Sequence, residues 1–130
     1  MNTLTKLRDG LLPTPTLTLP KTLDTDEFHH LMRNPRRRMI LRIAAADGPV
    51  GLREISARTA REEFGHDYDA ADRKTVYVTM YQCHVPELER HGLIDHGRGR
   101  SAPVELTAAG RRVVAVLEDM DERYFGGACA

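Results

Sequence analysis

Apolar positions take up a helical rhythm soon after residue 24. Met39, Ile40, Ile43 and Ala44 recur at spacings of three and four, so one side of the segment RRRMILRIAAAD is inward and its arginines cover the rest. Asn34-Pro35 starts this helix, with Asn34 as N-cap and Pro35 at the first helical position. A shorter helix before it reaches Arg33, with Thr25 as the expected N-cap and Asp26 and Glu27 in its first turn.

Asp47-Gly48-Pro49 is a turn, and Val50 suits a very short strand. A helix from Leu52 to about Glu62 follows, with Leu52, Ile55 and Ala60 inward. Residues 63–71 are polar and carry Gly65, which predicts a loop. Asp72 is then expected to cap a longer helix, with a core stripe of Val78, Tyr81, Val85 and Leu88. Pro86 lies inside that helix and has no N–H for the Gln82 carbonyl, which predicts a kink or a one-turn break. Gly92 is the stop signal.

Leu93 to His96 and Pro103 to Leu106 read as two strands joined by the Gly-punctuated turn Gly97 to Ser101, hence a β-hairpin. Thr107 caps a last helix from Ala108 to Tyr124, on which Val113, Val114, Val116, Leu117 and Met120 form a broad apolar face. Residues 1–23, rich in Thr, Leu and Pro, predict an extended N-terminal arm, and residues 125–130 a fraying tail. The fold class is mainly α with a small β-hairpin, in the order helix, helix, strand, helix, helix, hairpin, helix. A domain over 24–107 followed by the helix 108–124 accounts for the 130 residues.

Charge refines this picture without deciding it. There are 19 basic and 19 acidic residues, so the total gives no argument for a polyanionic partner. The distribution is uneven: Arg33 to Arg42 holds five Arg and no acid, Arg61 to Asp72 one Arg and five acids, and Arg90 to Arg100 three Arg and one Asp. The Arg36 to Arg38 run is placed either on phosphates or in pairs with the acidic segments 62–72 and 118–122.

Other chemistry is sparse. Cys83 and Cys129 form no CxxC, which argues against a disulfide framework and for a cytoplasmic location. The histidines lack ligand spacing, so neither a metal nor another cofactor is expected. No GxSxG, P-loop or GxGxxG is present, and an enzyme is not expected. No apolar run is long enough for a membrane span, and no secretory leader is recognised.

Three segments carry a resemblance. LMRNPRRRMILRIAAADGPVGLREIS is similar to the opening of ArsR-like and MarR-like winged-helix regulators. QCHVPELERHGLIDH resembles the end of their recognition helix and entry to the wing, and VELTAAGRRVVAVL their Leu-Thr-x-x-Gly step after it. NPRRR together with HVPELERHGLI looks closer still to an uncharacterised winged-helix domain family of halophilic archaea. The resemblance implies a winged helix-turn-helix that regulates transcription by binding double-stranded DNA.

The residues can be read on the same terms. Thr75, Thr79 and Gln82 share a helix face set apart from the expected core stripe, with Arg73 and Lys74 in the first turn. Such residues suit base edges and phosphates of a major groove. Arg98, Arg100 and Ser101 lie on the hairpin turn, the wing, where Arg suits a minor groove or the backbone. Arg36 and Arg37 complete the candidate DNA contacts. The apolar face of 108–124 suggests a homodimer seam. The alternative function is a protein–protein interaction module that reads no DNA, which the neutral total charge favours.

Overall fold

The computed structural model describes residues 17–99 and 101–125, and the side chains of these up to Arg123. The arm at 1–16, Arg100, Cys129 and the tail at 126–130 lie outside the described residues. The fold is mainly helical with one small antiparallel sheet. Its elements are α1 (Thr25–Met32), α2 (Pro35–Asp47), β1 (Val50–Gly51), α3 (Leu52–Phe64), α4 (Ala70–Thr79), α5 (Val85–Arg90), β2 (Ile94–His96), β3 (Pro103–Leu106) and α6 (Ala108–Met120). A π-helical turn, Met80–His84, joins α4 to α5, and another, Asp121–Phe125, extends α6.

Local signals explain most helix ends. Asn34 accepts from the Arg36 amide at 2.8 Å and Pro35 opens α2. Thr107 caps α6 by accepting from the Gly110 amide at 3.0 Å. Two expected caps are corrected. Asp24, not Thr25, caps α1, because Asp24 and Glu27 satisfy each other's backbone N–H in a capping box. Asp69, not Asp72, caps α4 by the same reciprocal arrangement, with Asp72 as its third helical residue. The loop between α3 and α4 therefore shrinks to residues 65–69, and Gly65 turns the chain at φ 90°.

The sheet has the order β1-β3-β2. β3 is central: Val104 lies opposite Val50 on one side and His96 on the other, while Leu106 lies opposite Ile94. The expected hairpin is therefore present and gains β1 as a third strand. Val50, Ile94, Val104 and Leu106 enter one core with Leu31, Ile40, Leu41, Leu52, Ile55, Val76, Met80, Leu88, Leu93 and Val113. Leu23 and Pro20 are also buried, joined by a Leu23 N–H to Pro20 carbonyl bond of 3.0 Å, so packing starts before Asp24.

Pro86 acts through the turn preceding it. Without its N–H the regular ladder cannot be completed, and the Val85 N–H bonds back to the Met80 carbonyl five residues earlier. The wide turn leaves Met80, His84, Val85 and Leu88 buried. The expected stripe is corrected accordingly. Val76 and Met80 are core residues, Tyr81 is half-buried, and Val78 is 37% exposed.

The apolar face of α6 is largely used within the chain. Val113, Val114 and Leu117 are buried, and Val116 and Met120 pack at the margin of the same core. The expected homodimer seam loses the breadth that suggested it. Among the described residues, no helix is long and apolar enough to cross a membrane.

Candidate functional site

A groove of about 920 Å³ lies where three parts of the chain meet. Gly51 to Glu54, Ser56 and Ala57 of the β1–α3 corner form one wall, Ala70, Arg73, Lys74 and Tyr77 of α4 another, and Ser101 of the hairpin turn closes it. Arg73 and Lys74, the expected first-turn pair, thus line the same groove as Ser101.

The groove is basic although the chain is neutral. Arg53, Arg73 and Lys74 are exposed, and their side chains form no ion pair or hydrogen bond among the described residues. The lining carboxylate, Glu54, is engaged by Arg58 at 2.8 Å, and Arg58 also pairs with Asp47. These carboxylates raise the pKa of Arg58, first through the Glu54 hydrogen bond. Arg53, Arg73 and Lys74 consequently stand without local compensation.

The N-terminus of α3 adds to this field. Gly51 is its N-cap and supplies no side-chain acceptor, while the first turn of α4 is already satisfied by Asp69. Arg53 and this uncapped end were missed by the sequence reading. The available signal was a glycine, with no capping side chain, directly before a helix bearing a first-turn Arg.

The outer face of α4 carries Thr75 and Val78, both exposed, with Thr79 half-buried beside them, and the exposed Gln82 follows in the π-helical turn. The Thr75 hydroxyl donates to the Ala71 carbonyl at 3.0 Å and the Thr79 hydroxyl to the Thr75 carbonyl at 2.9 Å. On the inner side Tyr77 stacks on Tyr81, with centroids 6.1 Å apart, and Tyr81 meets the His96 ring edge-on at 6.4 Å. This aromatic row joins α4 to β2. Nε2 of His96 is buried there and has no hydrogen-bond partner among the described residues.

Arg36 and Arg37 are placed elsewhere, in structural roles. Arg36 makes a two-pronged contact with Glu63, at 2.6 and 2.8 Å, which raises its pKa. Arg37 donates to the His30 carbonyl at 3.1 Å and to Nδ1 of the buried His84 at 3.3 Å. Arg38 bonds the Met32 carbonyl and Arg42 pairs with Asp121. The basic run therefore ties α1, α2, α3 and the end of α6 together. Arg98 is exposed on the hairpin turn, apart from the groove lining, and Arg100 lies outside the described residues. No group of three or more His, Cys, Asp or Glu side chains that could hold a metal occurs among the described residues.

The chain belongs to a family described as a domain of unknown function (DUF7344), whose profile matches residues 29–102. The match spans every groove-lining residue and ends before α6. No curated protein and no solved structure matches the chain.

Proposed function

We propose that this protein is a winged helix-turn-helix that binds double-stranded DNA and regulates transcription. In this reading α3 and α4 are the helix-turn-helix, α4 enters the major groove, and the β2–β3 hairpin is the wing. The observation that carries it is the groove between α3, α4 and the hairpin, where Arg53, Arg73 and Lys74 stand uncompensated in a chain of zero net charge.

The chemistry fits a polyanion of fixed shape. The uncapped start of α3 offers amides and a positive helix end to a phosphate, and Arg53 adds a forked cation beside them. Arg73 and Lys74 reach phosphates along the α4 edge, Arg98 extends the contact at the wing, and the outer face of α4 meets base edges.

Salt-dependent binding tests the reading. The three groove cations, neutralising one phosphate each, contribute about −2.7 to the slope of log affinity against log salt, at about −0.9 each. Replacing Arg53, Arg73 and Lys74 together by Ala abolishes most of that contribution while the chain stays folded. Absence of duplex binding at low salt overturns the reading and leaves the protein-interaction module in its place.

A further inference from the structure

We propose that the outer face of α4 reads thymine methyl groups, with Val78 as the central specificity-determining residue. This rests on the DNA reading above and adds which bases the helix selects.

The exposed face is built of methyl-sized groups. Ala71, Thr75 and Val78 follow one another at spacings of four and three and form a stripe along α4, and the exposed Gln82 lies four residues beyond Val78 in the π-helical turn that continues the helix. Val78 is at its middle and is one of the few large apolar side chains left exposed. Both threonines spend their hydroxyl hydrogens on carbonyls of their own helix, at 3.0 and 2.9 Å. The Thr75 methyl therefore remains as outward apolar surface, beside the methyls of Ala71 and Val78.

The surroundings decide what such a stripe meets. Lys74 lies one turn before Val78, and Arg73 and Arg53 stand at the adjoining groove. An apolar protein surface would be met by these uncompensated cations. A DNA major groove places anionic phosphates on both flanks and, on its floor, a single apolar group, the C5-methyl of thymine. Gln82 ends the stripe with an amide that can bond N6 and N7 of adenine. A run of A·T pairs supplies both partners.

The test exchanges the methyl itself. A duplex is selected from a random library with the full chain, then resynthesised with uracil at each thymine in turn. Uracil keeps the O4 acceptor and lacks the methyl. We expect Kd to rise about fourfold for each thymine in contact with the stripe. Val78→Ala binds the parent duplex with a similar loss, shows no further loss on the uracil duplex at that position, and keeps the wild-type salt slope. Val78→Ile retains the discrimination. If the chain binds with the expected salt slope yet every uracil duplex binds like its parent, or Val78→Ala still discriminates, the methyl reading is overturned and the DNA reading stands. If no duplex is bound at low salt, both fall.

Discussion

The Nε–H of Arg37 donates to Nδ1 of His84 at 3.3 Å, and this bond ties the start of α2 to the π-helical turn between α4 and α5. His84 is buried, and its pKa is lowered, first by loss of solvent and then by the charges of Arg37 and Arg36, with Glu63 opposing. Burial and these charges thus favour the neutral imidazole, which accepts from Arg37.

A pH dependence follows from that contact. When the pH falls below about 6.5, the unfolded chain protonates His84 while the folded chain resists. Stability is therefore unaffected by this group above about pH 6.5 and declines from there down to its lowered folded pKa. Urea midpoints between pH 8 and 5 should show the decline. In His84→Gln, which keeps an acceptor for Arg37 and does not titrate, the slope should be smaller.

Gly110 is predicted to accept no side chain. A Cβ there would lie 2.2 Å from the Leu93 carbonyl oxygen and 2.7 Å from Leu106 Cδ1. The same carbonyl accepts from the Thr107 N–H at 3.1 Å, which fixes it in place. Gly110→Ala should cost about 1–3 kcal/mol despite the better helix propensity of Ala, and denaturant titration would measure it. This clash is the physical content of the Leu-Thr-x-x-Gly step, with Thr107 as cap and Gly110 as the point of close approach.

The caps offer a sharper comparison. Asp24→Ala and Asp69→Ala should each lower stability by about 1 kcal/mol, while Thr25→Ala should stay within about 0.5 kcal/mol of the wild type. Thermal denaturation separates these outcomes. Equal losses from Asp24→Ala and Thr25→Ala would show that the reciprocal bonds at Asp24 do not cap α1.

The arginines should divide into two groups. Arg36→Ala breaks the contact with Glu63 and should lower stability by about 0.5–1 kcal/mol, leaving duplex affinity within about twofold. Lys74→Ala should leave stability unchanged and reduce the salt slope by about 0.9. Fluorescence anisotropy across a salt series reads both variants.

The sequence by itself determined the order of the elements and most of their ends, because those signals are local. Asn34-Pro35, Gly92 and Thr107 act within one turn of the helix ends they set, and β3 starts and stops at Pro103 and Leu106 as the hairpin pattern required. It also singled out Arg73, Lys74, Thr75, Gln82 and Ser101, which the structure gathers at the groove or on the face beside it. Tertiary structure alone decided what the remaining charges do. Arg36 and Glu63 are 27 residues apart in the chain, and no local spacing pairs them. Arg53 became a groove residue only when α3 packed beside α4. The orientation of α4 was likewise settled by packing. The helix is capped three residues earlier, at Asp69 rather than Asp72, it widens before Pro86, and packing turns Val76 and Met80 inward and Val78 out. Spacings of three and four identify a helix from either side, and only the neighbours it packs against decide which side is the core.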